Sequence, residues 1–187
     1  RINREVKRGH WIKPAGQSIA GKNICVVGYG DIGKHIVKRL QPMGVNVFVK
    51  DPFLKTDGFV EGVFEEMDGV ILCCSANESN KHMVNKKWLE KTKRGFFLIN
   101  VARGSLVCEK DLIEYLQKEK ESSYASDVFE NEPLSSTHPF CSMSNVIVGS
   151  HNGSNTVQAV LRVSEFVLRK MGLDFRTQLN GDTAVND

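Results

Sequence analysis

The sequence lacks most of the features that would assign it to a specialised class. Its five cysteines (Cys25, Cys73, Cys74, Cys108 and Cys141) form no C-x-x-C pair. Their odd number argues against a complete disulfide framework and for a reducing compartment, here the cytoplasm. Cys73 and Cys74 are neighbours in an expected strand, so their side chains should point to opposite faces. They read as packing or pocket-lining thiols rather than metal ligands, and no metal is expected. No apolar run approaches the roughly 20 residues of a membrane span. The opening Arg1-Ile2-Asn3-Arg4-Glu5 is not a signal peptide. Charge of one sign is also scarce: 25 Lys and Arg against 22 Asp and Glu leave +3. That is too little to argue for nucleic acid or an anionic membrane, and no basic run forms a phosphate-tracking stripe.

What is present is the ordinary balance of a globular domain: 187 residues, 41% hydrophobic and 25% charged. Such a chain is about one domain and buries a sizeable core without staples. Short apolar runs alternate with helical periodicity. Ile24 to Val27 reads as a strand, and Asp31 to Met43 as a helix with Ile32, Ile36, Leu40 and Met43 on one face. Val45 to Val49, Val70 to Cys74 and Phe96 to Ile99 read as strands, and Lys110 to Lys118 as a helix. Tyr124 to Val128 and Val146 to Val148 are further short strands. A closing helix from about Asn155 carries Val157, Val160, Leu161, Val167 and Met171. Strands alternating with helices predict the α/β class: a doubly wound, Rossmann-type parallel sheet covered on both faces. Residues 21–172 form this dinucleotide-binding domain. Residues 1–20 and the tail 173–187 read as connections leading to another domain.

Gly28-Tyr29-Gly30-Asp31-Ile32-Gly33 follows an apolar strand and opens a helix, the context that a G-x-G-x-x-G phosphate loop requires. Gly28 permits the tight turn, Gly30 lets the backbone approach a pyrophosphate, and Gly33 allows close packing of helix on strand. The helix N-terminus, with Asp31 and Ile32 in its first turn, offers amide donors to phosphates. Glycine turns are common, so the motif alone is weak. Asp51 strengthens it: it ends the second strand, eighteen positions beyond Gly33. A carboxylate there accepts hydrogen bonds from the ribose hydroxyls of NAD and repels the 2′-phosphate of NADP. The plainer reading of Asp51 is an Asp-Pro turn, and Lys50 and Lys55 keep NADP open as the alternative.

Three local patterns then resemble the D-2-hydroxyacid dehydrogenase family, which includes phosphoglycerate, D-lactate and glycerate dehydrogenases. They are Asn100-Val101-Ala102-Arg103-Gly104 after a strand, Asp127-Val128-Phe129-Glu130-Asn131-Glu132-Pro133, and Ser150-His151-Asn152-Gly153-Ser154-Asn155-Thr156 before the last helix. With the glycine loop and Asp51 they make five elements in the family's order, and the likeness runs over nearly the whole chain. The resemblance implies an NAD-dependent oxidoreductase in which Arg103 binds and polarises the substrate, His151 exchanges the proton and Glu132 tunes His151. Asp127 resembles the family's contact to the nicotinamide carboxamide. Cys74, Ser75, Val101, Ala102 and Gly153 fall on the family's cofactor groove. The chemistry of the residues agrees. Arg103 offers a planar, permanently charged fork for a carboxylate, and His151 is the natural acid/base near neutral pH. Taken singly, Arg103 could cap a helix, Glu132 could be a solvated charge and His151 a structural histidine. The other histidines (His10, His35, His82 and His138) lack comparable partners and read as structural, His35 facing solvent.

The chain departs from the family at two loops. Ser75-Ala76-Asn77 stands where Pro-Leu-Thr is usual, and Ser150 where proline is common. Members of the family also carry a substrate-binding domain, nearly all of which is missing from this sequence. The chain alone is therefore expected to bind NAD but to turn over slowly or not at all. The resemblance further implies a 2-hydroxy or 2-keto acid substrate, phosphoglycerate among the candidates, and a homodimer through the cofactor domain. Two rivals share the fold: an NAD-sensing corepressor, and a formate-type dehydrogenase, whose histidine is usually paired with glutamine rather than with a residue like Glu132.

Overall fold

The computed structural model describes residues 2–52 and 63–173. Among these, six strands carry the fold: β1 (Asn23–Val27), β2 (Asn46–Lys50), β3 (Gly69–Leu72), β4 (Phe97–Asn100), β5 (Ser123–Ser126) and β6 (Val146–Val148). All pair in parallel, in the order β2-β1-β3-β4-β5-β6. The helices are α1 (Ile2–Lys7), α2 (Asp31–Leu40), α3 (Lys86–Leu89), α4 (Glu109–Lys118) and α5 (Val157–Lys170). The order reverses at β1, which pairs with β2 on one side and β3 on the other. Such a reversal opens a crevice beyond the carboxyl ends of the strands, where open α/β sheets hold their ligands.

The central strand shows why the sheet forms here. Ile24, Cys25, Val26 and Val27 are all buried, the continuous apolar run of a parallel strand covered on both faces. One face carries Cys25, Val27, Val70, Leu72, Leu98 and Tyr124, packed by Leu112 and Leu116 of α4 and by Phe129 and Phe140. The other carries Ile24 and Ile71 with Val45, packed by Ile36 and Leu40 of α2.

The structure corrects several expectations. The helix expected to reach Met43 ends at Leu40, and Gln41–Met43 tighten into a 3₁₀ turn closed by Gly44 at φ 76°. Pro42 has no N–H to continue the α ladder. The buried residues of α2 are Gly33 and Val37, while Ile32 and Met43 are exposed. The core-facing stripe therefore keeps Ile36 and Leu40 of the expected row, adds Gly33 and Val37, and leaves out Ile32 and Met43. Strand β3 stops at Leu72, so Cys73 and Cys74 lie beyond it, because Gly28 has turned its neighbour β1 away at φ 102°. Strand β5 ends at Ser126, whose hydroxyl donates to the Val128 carbonyl at 2.6 Å and curls the chain. Residues 2–7 form a helix rather than a plain connection.

Coverage of both sheet faces is incomplete. Phe97, Ile99, Ala125 and Ile147 line an open groove on β4 to β6, and Ile147 is 72% exposed. No residue of α5 is buried, and Val157, Val160, Leu161, Val167 and the following Met171 all face outward. The apolar periodicity of that helix is real, but every residue of its expected stripe is exposed. Lys55 and residues 174–187 lie outside the described residues.

Candidate active site

The carboxyl ends of β1, β2 and β3 meet in a groove of about 460 Å³ lined by Gly28, Gly30, Lys50, Asp51, Cys73, Cys74 and Ser75 among others. Each glycine of the phosphate loop has a distinct steric reason. Gly28 stands at φ 102°, and a Cβ there would sit 2.7 Å from the Cys74 backbone. It serves both the turn and the close approach of β1 to β3. A Cβ on Gly33 would sit 3.0 Å from the Gly28 carbonyl carbon, closer to its oxygen, and 3.3 Å from Cys73 Sγ. That is the expected helix-on-strand contact. Around Gly30 there is nothing within 4 Å, and no side chain caps the helix that it begins. The first-turn N–H groups of α2, those of Asp31 and Ile32 included, are therefore left for an anion.

Asp51 folds back on this loop, its Oδ2 accepting from the Tyr29 N–H at 2.6 Å. The carboxylate thus ties the end of β2 to the phosphate loop. Cys73 is a hydrogen-bond donor here: burial pushes its thiol up to about 11, and the S–H reaches the Gly28 carbonyl at 3.1 Å.

Arg103 is positioned by its own motif. Asn100, fully buried at the end of β4, accepts from the Ala102 N–H and donates to the Arg103 carbonyl, both at 3.0 Å. This closes a turn that presents Arg103 outward, its Nη1 donating to the Ala102 carbonyl at 2.7 Å. Ala102 points into the core and Val101 is exposed. The next residue, Gly104, packs against the Phe129 carbonyl with no room for a side chain. The turn carrying Arg103 is thereby held against the loop carrying Glu132.

That loop and the one after β6 bring together the second pair. His151 Nδ1 lies 2.6 Å from Glu132 Oε2, and Glu132 Oε1 accepts from the Phe129 N–H at 2.9 Å. The hydrogen bond from His151, then that from Phe129, holds the Glu132 carboxyl below its ordinary range. An ionised carboxylate only accepts, so a proton sits on His151 Nδ1, and Nε2 is the ring nitrogen that Glu132 does not hold. His151 is one of two described non-glycine residues at positive φ (55°). Such a backbone is sparsely populated and persists only when its surroundings fix it. Here Asp127 does the fixing. Its carbonyl accepts from the His151 N–H at 2.7 Å, and its carboxylate accepts from Asn152 at 3.1 Å and Gly153 at 2.7 Å. Burial raises the Asp127 carboxyl, but the Asn152 and Gly153 N–H groups outweigh it, and it is held below the ordinary range. Each oxygen keeps a second lone pair, so a further donor can still be bound.

Glu132 and His151 share the rim of a second pocket, of about 540 Å³, with Phe129, Pro133, Leu134 and Ser150. Arg103 and Gly153 are not among its lining residues. The sequence reading missed Asn100 and Gly104 as individual positioning residues, although both stand in the motif that it singled out. It also read four histidines as unpartnered. His10 meets Glu5 at 3.1 Å, His82 meets Glu130, and His138 meets Glu109 at 3.3 Å. The last two pairings depend on chain segments far apart in sequence, whereas His10 and Glu5 are near neighbours. His35 is exposed, as expected.

The groove suits a dinucleotide: an open space at Gly30, an uncapped helix N-terminus and a carboxylate at the end of β2, all at the sheet's reversal point. Comparison with known proteins agrees. The description "D-isomer specific 2-hydroxyacid dehydrogenase, NAD binding domain" matches residues 1–153. The chain is similar to a hydroxypyruvate reductase of Thermotoga maritima, 32% identical over 182 residues, covering 90% of this chain and 60% of that protein. It is also similar to a D-3-phosphoglycerate dehydrogenase of Bacillus subtilis, 34% identical over 199 residues, covering 98% of this chain and 37% of that protein. Among solved structures, a D-lactate dehydrogenase of Lactobacillus jensenii with NAD+ superposes with a TM-score of 0.79 at 25% identity, covering 98% of this chain and 61% of that one. The chain thus spans at most about 60% of these relatives' length. All three are dehydrogenases or reductases, and none supports a corepressor reading. With its glycine loop, its Asp51 and its Glu132–His151 pair in the expected strand-end loops, the chain belongs to the D-isomer specific 2-hydroxyacid dehydrogenase family and comprises its NAD binding domain.

Proposed function

We propose that the protein interconverts a D-2-hydroxy acid and its 2-keto acid, with NAD(H) as the redox partner and with Arg103, Glu132 and His151 as the working side chains. The observation that carries this is the 2.6 Å pair of His151 Nδ1 and Glu132, which leaves Nε2 as a proton-exchanging atom at the rim of a pocket. Gly28, Gly30, Asp31, Ile32 and Gly33 hold the pyrophosphate and Asp51 the ribose; Cys74, Ser75, Val101, Ala102, Asp127 and Gly153 complete the cofactor contacts. NAD supplies hydride transfer at the substrate carbon. Arg103 anchors the carboxylate as a planar fork. His151 takes the hydroxyl proton during oxidation and returns it during reduction. Glu132 orients the ring and stabilises its protonated form.

The relatives named for hydroxypyruvate, glyoxylate and phosphoglycerate support a small 2-keto acid class, phosphoglycerate-like substrates included. Their greater length supports a substrate-binding domain outside these residues, with 21–172 as the cofactor domain and 1–20 and 173–187 as connections. Closure of such a domain excludes water and sets hydride geometry, so the isolated chain turns over slowly. The uncovered face at Phe97, Ile99, Ala125 and Ile147 supports a homodimer through this domain. Five free cysteines support a cytoplasmic location. Among the described residues no helix is long and apolar enough to cross a membrane.

Calorimetric titration with NADH and with NADPH tests the cofactor assignment. Binding of NADH in clear preference to NADPH is expected, and Asp51→Ser should weaken NADH at least tenfold, about 1.4 kcal/mol, while narrowing the gap to NADPH. No binding of either nucleotide would refute it. NADH oxidation with a panel of 2-keto acids, lost in His151→Asn, tests the chemistry.

A further inference from the structure

We propose that Glu109 is a positioning residue for this reaction, gripping from behind the loop whose front presents Glu132 to His151. The inference rests on the Glu132–His151 assignment above and adds a residue that makes no contact with either. Glu109 opens α4, and its side chain is only 8% exposed. Its Oε1 accepts from the Glu130 N–H at 2.9 Å. Its Oε2 faces His138 Nε2 at 3.3 Å, while His138 Nδ1 accepts from the Phe140 N–H at 3.3 Å. The accepting Nδ1 places the proton on Nε2, so His138 donates to Glu109.

The consecutive N–H groups of the loop point to different carboxylates. That of Phe129 goes to Glu132 and that of Glu130 to Glu109. The peptide joining the two residues is also pressed by Gly104 and, through the Glu130 side chain, held by His82. Without Glu109 the Glu130 N–H must take its hydrogen bond from water, and its peptide is free to turn outward to reach it. Turning that peptide shifts the Phe129 Cα and tilts the preceding peptide, whose Phe129 N–H holds Glu132, and so releases the carboxylate aimed at His151. The arrangement doubles the Glu–His pairing: one pair faces the pocket, the other locks the loop that carries it.

The test follows the Glu132 carboxyl titration by ¹³C NMR and the Phe129 amide by hydrogen exchange in the 187-residue chain. Asp127, which Glu109 does not touch, is the internal reference. In Glu109→Ala the Glu132 midpoint moves up toward an ordinary glutamate and the Phe129 amide exchanges roughly tenfold faster or more, while Asp127 is unmoved. Glu109→Gln, whose carbonyl still accepts from Glu130 but whose NH2 meets the His138 Nε2–H, restores both in part, to values between those of alanine and the unaltered chain. Glu109→Asp keeps the charge and a favourable helix start but loses reach, so it behaves like alanine while folding normally. Unchanged Glu132 titration and Phe129 exchange in the alanine or aspartate variant would overturn the proposal. His151→Ala separates the two levels. If it fails to raise the Glu132 midpoint, the site assignment fails. If it raises the midpoint while the Glu109 variants do not, only the role of Glu109 fails.

Discussion

Replacing Gly33 or Gly30 by alanine separates packing from cofactor binding. Gly33→Ala raises the helix propensity of α2 by about 1 kcal/mol. Against this, the new Cβ sits 3.0 Å from the Gly28 carbonyl carbon and 3.3 Å from Cys73 Sγ. Gly28 cannot give way. Its N–H is bonded to the Lys50 carbonyl at 2.8 Å, its carbonyl accepts from Cys73, and its own flank touches Cys74. Helix α2 must move out by roughly 1 Å to restore ordinary contact distances. Overpacking of this kind costs about 1–3 kcal/mol. The net change is a destabilisation of about 0–2 kcal/mol, and each kcal/mol lowers the melting temperature by about 2–4 °C in a domain of this size. The displaced first turn no longer matches a pyrophosphate, so NADH affinity falls at least tenfold, ~1.4 kcal/mol. Gly30→Ala meets nothing within 4 Å at φ −69° and should alter stability by less than about 1 kcal/mol. Its methyl nonetheless projects where the phosphates are expected, so NADH binding falls comparably. Parallel thermal melts and NADH fluorescence titrations read both effects. A Gly33→Ala protein with a higher melting temperature and unchanged NADH affinity would refute the packing argument. A Gly30→Ala protein binding NADH normally would remove the pyrophosphate from this loop.

Phe140 is 1% exposed and lies between the rings of Tyr124 (5.3 Å), His138 (4.8 Å) and Phe129 (6.4 Å). Phe140→Ala should cost about 3–5 kcal/mol in urea unfolding and loosen the catalytic loop with it; a loss below 1 kcal/mol, about the least any core truncation brings, would contradict this packing. Acid should unfold the domain through three carboxyls held low. In Asp68 the N–H of Asn23 with Lys93 and Lys22 outweighs burial, and Asp127 and Glu132 are held as described above. A depressed folded-state pKa stabilises above the unfolded value, and that contribution is lost as pH falls through the folded value. Stability measured by urea melts should therefore be flat near neutrality and fall as pH drops below the ordinary values of 4.5 and 3.8. Asp68→Asn should blunt that fall; a fall undiminished in this variant would rule out Asp68 as a contributor.

The sequence by itself determined the class of the fold, and it singled out the glycine loop and the side chains proposed to do the chemistry. These depend on short-range pattern: apolar runs that only buried parallel strands use, glycines at fixed offsets before a helix, and a carboxylate or histidine just after a strand. Tertiary structure decided everything that required two distant segments to meet. Helix α2 faces the core through Gly33 and Val37 as well as the expected Ile36 and Leu40, while Ile32 and Met43 at the ends of the row are exposed, because the close approach of Gly33 to Gly28 fixes how the helix is turned. The end of β3 was set by the turn at Gly28, just past β1, so Cys73 and Cys74 lie beyond the strand, although their place in the pocket lining was among the expectations. The apolar stripe of α5 was legible, but periodicity cannot say whether a partner exists to cover it. The partners of the histidines were the least legible feature of all. His138 and Glu109 are twenty-nine positions apart, and only the packing of α4 beneath the Phe129–Pro133 loop brings them into contact.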